Sequence, residues 1–188
     1  MFCPKNAQHC SKIFSNKKER VIMKKKIEIA YTQYEDLQEL PQQDHELLQK
    51  ASVAAEDAYA PYSRFKVGAA LRLDNGVIVT ANNQENAAFP SGLCAERIAV
   101  FSAAAQYPGH AIEALAITAK AQHDIDHPIA PCGACRQSIL EYEHKFKKPI
   151  RVILRGSSGK IAVFDSMETL LPFQFNSDEL PRSQEAER

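Results

Sequence analysis

The hydrophobic and polar positions of this chain follow two kinds of pattern, and the first kind predicts strands. Residues 65–83 contain two runs rich in β-branched and apolar residues, one on each side of Asp74-Asn75-Gly76. A turn sequence of this type between two such runs strongly indicates a hairpin. Further strands are predicted from alternation or from short apolar runs, and they cover 26–32, 112–119, 150–156 and 160–164.

The second kind of pattern places apolar residues three or four positions apart and predicts helices. The first helix is predicted to begin at Asp44, a capping residue, and to end near Tyr59, before Pro61. The other predicted helices are 94–107, 133–146 and a short one at 166–171. The order helix, hairpin, helix, strand, helix, strand predicts a three-layer α/β domain with a mixed sheet of about five strands covered by helices.

The first 22 residues differ from the rest because they are polar and basic and show no periodicity. We expect residues 1–22 to be a disordered extension, and Met23 is a plausible second start. A chain of 188 residues suggests one domain with tails, so residues 23–188 are predicted to form a single domain.

Charge and composition narrow the class of partner. The formal net charge is 0, which argues against a nucleic acid, because phosphate binding requires a surplus of Lys and Arg. A small neutral substrate fits this balance better. The basic N-terminus is not followed by an apolar segment of signal-peptide length, and no run is long enough to span a bilayer. We therefore expect a cytoplasmic protein with no membrane partner.

The chain has five cysteines, an odd number that argues against a disulfide framework in the absence of a secretory signal. Cys132 and Cys135 stand three residues apart at a predicted helix start, where both sulfurs can reach one metal ion. Alone, they are compatible with a redox pair, half of a metal site or two core cysteines. In the tail, Cys3, His9 and Cys10 offer metal-binding groups, but a flexible segment supplies no rigid site.

Cys94 favours the metal site, since it stands at the start of another predicted helix. Three cysteines from two helix starts would form a tripod for Zn²⁺ with the fourth coordination position open. A closed structural site would need a fourth protein ligand, and the nearby candidates are His123 and His127.

Glu96, two residues after Cys94, favours the open site. Zinc lowers the pKa of bound water, and a carboxylate beside it can take the proton. The alternative is that Glu96 is only a helix-start acid favoured by the macrodipole. Arg97 is interpreted as a group that donates to the thiolate sulfurs and offsets their excess charge, rather than as an exposed helix arginine.

These residues, together with four separated stretches, resemble the zinc-dependent nucleoside deaminases, and among them the small homotetrameric cytidine deaminases. Cys-Ala-Glu followed by Pro-Cys-x-x-Cys is the signature of that group. The resemblance is strongest over 44–180. It implies a cytidine deaminase-like α/β/α fold, one catalytic domain, and hydrolytic deamination of cytidine and 2′-deoxycytidine in pyrimidine salvage. The stretches are "AYAPYSRFKVGAAL" at 58–71, "NQENAAFPSGLCAER" at 83–97, "PCGACRQ" at 131–137 and "LLPFQF" at 170–175.

The resemblance also implies a role for each residue of the metal centre. Cys94, Cys132 and Cys135 would hold the zinc ion, the cofactor of the reaction. Glu96 would carry a proton from the attacking water to N3 of the base and then to the leaving ammonia.

Substrate contacts are implied by the same resemblance. Phe65 would stack on the base, and the main chain of Ala95 would contact the pyrimidine carbonyl. Asn83 and Glu85 would bind the ribose hydroxyls. Phe175 matches an aromatic residue that reaches into the site of a neighbouring subunit, so the resemblance implies a homotetramer with shared sites.

Two positions fall outside this pattern of roles. Phe89 stands where many relatives carry a tyrosine whose hydroxyl helps to hold the nucleoside from an adjoining subunit. Arg136 is interpreted as a surface or interface charge without a catalytic role.

Three other functions remain open. One is deamination of another cytosine compound, such as a nucleoside antibiotic of the blasticidin type. A deaminase acting on tRNA or DNA should show a basic groove with aromatic residues, which the neutral composition does not suggest. A non-catalytic zinc-stabilised interaction domain would have four protein ligands and no role for Glu96.

Overall fold

Residues 23–180 are described by the computed structural model, so the extension predicted at 1–22 lies outside the described residues. The elements in chain order are β1 (Thr32–Tyr34), α1 (Gln42–Glu56), β2 (Lys66–Leu73), β3 (Ile78–Asn82), α2 (Ala95–Gln106), β4 (Ile112–Lys120), α3 (Gly133–Phe146), β5 (Arg151–Arg155) and β6 (Ile161–Phe164).

The six strands form one open sheet in the order β1-β6-β5-β4-β2-β3. Only β4 and β5 pair in parallel among these strands, and the other neighbours are antiparallel. The prediction of an α/β domain with a mixed sheet is therefore confirmed, with one strand more than the predicted number.

The helices cover both faces of the sheet and give three layers. On one face α1 packs through Leu47, Leu48 and Ala51 against inward residues of the sheet such as Ala116 and Ile153. On the other face α2 and α3 share a larger apolar core with β2, β4 and β5. Burial of these apolar surfaces supplies most of the stabilisation of such a domain.

The predicted strand at 26–32 is wrong in its position. The paired strand is Thr32–Tyr34, with Thr32 opposite Val163 of β6. Because β6 ends at Phe164, the residues before Thr32 have no neighbouring strand, and alternation alone cannot supply one. The ring of Tyr31 instead stacks on that of Phe164 with centroids 5.3 Å apart.

The first helix begins two residues earlier than predicted and ends three residues earlier. Asp44 does not cap it; the carboxylate is buried, and its Oδ2 accepts a hydrogen bond of 2.9 Å from Nε of Arg151. The chain leaves the helix after Glu56 because the main chain of Tyr59 pairs with Asn83 and Glu85 beyond β3. Tertiary contacts, rather than local preference, set both ends.

The remaining elements agree closely with the sequence patterns. The hairpin β2–β3 turns through Gly76 with φ of +83°, a conformation that glycine adopts without cost. The helix predicted at 133–146 is α3. The short helix predicted at 166–171 is a 3-10 turn, Met167–Leu170, capped by the side chain of Ser166. None of the helices within residues 23–180 combines the length and apolarity needed to cross a bilayer.

Gly68 marks the closest approach between α1 and the sheet. A Cβ atom at this position of β2 would lie 2.0 Å from the carbonyl oxygen of Ala51 and 2.7 Å from the main-chain nitrogen of Ala55. We expect Gly68→Ala to lower the free energy of unfolding by about 3 kcal/mol, because main-chain atoms cannot yield as side chains do. Denaturant unfolding measures the change.

Gly109→Ala is the matched control, since a Cβ at Gly109 would meet no atom within 4 Å. We expect its unfolding free energy to stay within about 0.5 kcal/mol of the unchanged protein. Equal effects of the two substitutions would contradict the close approach of α1 to β2.

Candidate metal centre and active site

The starts of α2 and α3 bring three cysteines together. Cys94 is the N-cap residue of α2, Cys132 is the N-cap residue of α3, and Cys135 lies in the first turn of α3. The three sulfur atoms all lie within 4.8 Å of one another, and the sulfurs of Cys132 and Cys135 are 3.4 Å apart. The two stretches that the sequence places far apart thus form one cluster.

This cluster has no fourth protein ligand within residues 23–180. The candidate metal-binding set there contains the three cysteines and neither a histidine nor a carboxylate. His127 lies beside Asp126 instead, with Nδ1 3.3 Å from the carboxylate, and is exposed. Three thiolates with an open fourth position fit Zn²⁺ in its catalytic form.

The surroundings of the cluster favour thiolate at Cys94. A hydrogen bond from Cys135 lowers the pKa of Cys94 to about 5, and Arg97 assists. The same hydrogen bond raises the pKa of the Cys135 thiol. A guanidinium nitrogen of Arg97 lies 4.0 Å from the sulfur of Cys94, which is the position the sequence predicts for a group that offsets thiolate charge.

A cavity of about 630 Å³ opens beside the cysteines. Its volume is in the range of small-molecule sites, and apolar walls surround a few polar groups, as in most such sites. The apolar lining comes from the start of β2 and the residue before it, the loop before α2, the middle of β4 and the loop before α3. The lining includes Phe65, Val67, Leu93, Ile117, Ile129, Asn83, Glu85, Glu96, Cys94 and Cys132.

Glu96 is the buried acid of this cavity. Only 4% of its surface is exposed, and its Oε2 has no hydrogen-bond partner among the described residues. Burial raises the pKa of its carboxyl group. A buried carboxylate oxygen left without a partner is costly for stability, and such groups occur where a substrate or a proton is to be bound.

Asn83 and Glu85 line the cavity, but both already bind the chain itself. Nδ2 of Asn83 donates to the carbonyl of Phe65 at 3.0 Å, and its Oδ1 accepts from N–H of Val67 at 2.7 Å. Oε2 of Glu85 accepts from N–H of Tyr62 at 2.9 Å and N–H of Ser63 at 3.2 Å. The hydroxyl of Ser63 donates to Oε1 of Glu85 and lowers its pKa.

The other predicted substrate contacts are placed differently. Ala95 is fully buried as the first residue of α2 and does not line the cavity with its side chain. Phe175 is 58% exposed and is not among the residues that line the cavity of its own chain. Phe89 lines the cavity of its own chain, and its ring meets that of Tyr62 edge-on at 5.9 Å between centroids.

Two residues have positions that the sequence did not indicate. Arg136 is not a plain surface charge: its Nε donates to the carbonyl of Pro131 at 2.8 Å and another guanidinium nitrogen to that of Leu170 at 2.9 Å. It therefore ties the residue before Cys132 to the C-terminal segment. The hydroxyl of Ser63 accepts a hydrogen bond from N–H of Phe65. Serine often binds the N–H two residues later in this way, so the sequence alone could have indicated this bond.

Comparison with known proteins agrees with this site. Residues 41–148 match the sequence model of a family described as the cytidine and deoxycytidylate deaminase zinc-binding region. The chain belongs to this deaminase family. All three clustered cysteines of this deaminase lie within the matched region, which with their geometry fits Zn²⁺ as the cofactor. Strand β1 precedes the matched region, and β5 and β6 follow it.

The matches to individual relatives extend over nearly the whole length of each relative. A cytidine deaminase of Halalkalibacterium halodurans is 37% identical over 134 residues, which are 71% of this chain and 95% of the relative. One from Mycobacterium tuberculosis is 37% identical over 147 residues, 76% of this chain and 98% of the relative. The crystal structure of cytidine deaminase from Burkholderia pseudomallei superposes with a TM-score of 0.61 at 42% identity, over 70% of this chain and 98% of that one.

Zinc content should depend on each clustered cysteine. We expect Cys94→Ser, Cys132→Ser and Cys135→Ser each to lose most of a content of about one zinc per chain, because two thiolates do not hold the ion as three do. Elemental analysis of the purified variants measures this. The double variant Cys3→Ser/Cys10→Ser is the control, and loss of zinc there would show that the N-terminal cysteines supply ligands.

Proposed function

We propose that this deaminase catalyses the hydrolytic deamination of cytidine and 2′-deoxycytidine to uridine and 2′-deoxyuridine plus ammonia, in pyrimidine salvage. The observation that carries the proposal is the buried, unpartnered carboxylate oxygen of Glu96 next to a three-cysteine cluster at a cavity of about 630 Å³. The proteins reported above, which are named cytidine deaminases, support this substrate class.

The metal would be held by Cys94, Cys132 and Cys135. Zinc bound there supplies Lewis-acid activation of a water molecule for attack on C4 of the base. Arg97 donates to the sulfur of Cys94 and offsets the negative charge that three thiolates leave on the divalent ion. The partial positive charges at the starts of α2 and α3 act in the same direction.

Glu96 moves the protons. It accepts one proton from the attacking water and delivers it to N3 of the base. It then takes the second proton from the new C4 hydroxyl and delivers it to the amino group, so that the C4–N bond breaks, ammonia leaves and the C4 carbonyl forms. Its raised pKa suits this work, since burial makes the carboxylate of Glu96 a better proton acceptor than an exposed glutamate would be.

The cavity would bind the nucleoside by stacking and by hydrogen bonds. Phe65 lines it and would stack on the pyrimidine. The main-chain N–H of Ala95 is in the first turn of α2, where such groups have no partner within the helix, and would contact the pyrimidine carbonyl. Asn83 and Glu85 would bind the sugar.

The assembly is proposed to be a homotetramer whose sites are completed by neighbouring subunits. Phe175 and Phe173 are exposed near the C-terminal end of the described chain, and exposed aromatic residues of this size often mark contacts between subunits. Phe175 would enter a neighbour's cavity, which agrees with its absence from the cavity of its own chain. A cytoplasmic location is proposed for this enzyme of nucleoside metabolism.

Glu96→Gln keeps the size of the side chain and removes the proton carrier. We expect turnover of cytidine to fall by about 10³-fold or more, with zinc content and melting temperature retained. Glu96→Ala should behave alike. Spectrophotometric assay of cytidine consumption measures the effect, and Glu141→Gln, on the exposed face of α3, is the control.

Unchanged turnover in Glu96→Gln would sink the mechanism. A protein with no turnover at all, and with four protein ligands on a cobalt-substituted sample, would instead indicate a zinc-stabilised interaction domain. Turnover of blasticidin S but not of cytidine would assign the site to another cytosine compound.

The sugar-binding groups keep three hydrogen-bonding positions that the described chain does not use. After their bonds to the chain, Glu85 retains an acceptor position on Oε1, and Asn83 retains one N–H and one lone pair. Because 2′-deoxycytidine is a proposed substrate, we expect loss of the 2′-hydroxyl to change kcat/KM by less than about threefold. The 3′-hydroxyl, which both proposed substrates carry, would use these positions, and its loss should lower kcat/KM by about tenfold or more. Parallel assays on cytidine, 2′-deoxycytidine and 3′-deoxycytidine decide this, and equal losses would contradict it.

A further inference from the structure

Two segments at the cavity form one hydrogen-bonded unit. N–H of Tyr59 donates to the carbonyl of Asn83 at 3.1 Å, and N–H of Glu85 donates to the carbonyl of Tyr59 at 2.9 Å. Nearer the sheet, N–H of Asn83 donates to the carbonyl of Val67 at 3.1 Å. The segment that carries Phe65 is thus attached along its length to the segment that carries Asn83 and Glu85.

Ser63 lies at the centre of this unit. Its hydroxyl donates to Oε1 of Glu85 and accepts from N–H of Phe65 at 3.0 Å, while its own N–H donates to Oε2 of Glu85 at 3.2 Å. On the C-terminal side of Phe65, its carbonyl accepts a hydrogen bond from Nδ2 of Asn83. The peptide groups on both sides of Phe65 are therefore fixed by side chains that line the cavity.

Arg64, between Ser63 and Phe65, has a φ of +56°. Residues other than glycine seldom adopt this conformation and keep it only where the surrounding bonds determine it. The bonds of Ser63 precede Arg64 and the bond to the carbonyl of Phe65 follows it. In addition, N–H of Arg64 itself donates to the carbonyl of Ala60 at 3.0 Å. Residues held in such conformations concentrate at ligand sites, where the surrounding structure is pre-organised.

We propose that Ser63 is a positioning residue that holds the carboxylate of Glu85 and the main chain of Phe65 in one fixed relation. Through this hydroxyl the part of the cavity that binds the sugar and the part that stacks on the base become a single rigid element. The inference rests on the proposed function. It concerns binding rather than chemistry, because the bonds of Ser63 within residues 23–180 do not include one to Glu96 or to the three clustered cysteines.

The test compares Ser63→Ala, which removes the hydroxyl, with Ser63→Thr, which keeps it. We expect Ser63→Ala to raise KM for cytidine about tenfold, since a hydrogen bond to a charged group is lost, with kcat and zinc content nearly unchanged. Ser63→Thr should restore a low KM. Ser158→Ala is the matched control, because Ser158 also donates to a carboxylate, Asp124, at 2.6 Å but away from the cavity.

A double-mutant cycle with Glu85→Gln separates positioning from direct contact. If Ser63 acts through Glu85, the double variant Ser63→Ala/Glu85→Gln should lose clearly less than the product of the two single losses. Multiplicative losses would overturn the assignment, as would an unchanged KM in Ser63→Ala. If Ser63→Ala does not fold, Ser63→Cys takes its place, because a thiol is a weaker donor and acceptor than a hydroxyl. Ser63→Cys should show a KM between those of the unchanged protein and a tenfold increase. A KM equal to that of the unchanged protein would contradict the proposal.

The failure of this inference is distinguishable from failure of the proposed function. Absence of cytidine turnover in the unchanged protein would overturn the function itself and the inference with it. An active protein in which KM does not respond to Ser63 would overturn only the assignment of Ser63.

Discussion

Negative charge at three clustered sulfurs is the constraint on which the site depends. Sulfur atoms within 4.8 Å of one another repel once they are thiolates, so the fold must supply positive charge around them. It does so by starting α2 and α3 at the same place, which directs two helix dipoles at the cluster, and by adding Arg97. Glu96 brings a further acidic group into this arrangement, and burial raises its pKa.

The sequence patterns predicted those parts of the fold whose cause is local. A turn sequence with a glycine at positive φ defines the hairpin. Apolar residues three or four positions apart, followed by a loop, define α3. The position of β1 and the ends of α1 could not be found in this way. Thr32–Tyr34 is a strand because β6 lies beside it, and Asp44 is buried because Arg151, far along the chain, reaches it.

The same division holds at the site. Cys94, Glu96 and Arg97 share one helix start, so their spacing along the chain is nearly their geometry in space. The bonds of Asn83 and Glu85 to the main chain near Phe65, and the bond of Arg136 to the carbonyl of Leu170, join segments that are distant in sequence. Side-chain bonds to distant main-chain groups leave no periodic trace, which is why the sequence did not reveal them.

Strand β1 also determines how this sheet meets other protein molecules. Every residue of β6, Ile161–Phe164, is buried, and the outer main-chain groups of such a strand would invite pairing with another chain. β1 occupies those groups with only three residues, and the same segment continues into three lysines at 24–26. A short edge flanked by charge is a poor template for strand addition. Residues that precede the matched deaminase region thus give this side of the sheet a short edge flanked by charge, where the apolar strand β6 would otherwise be open to pairing.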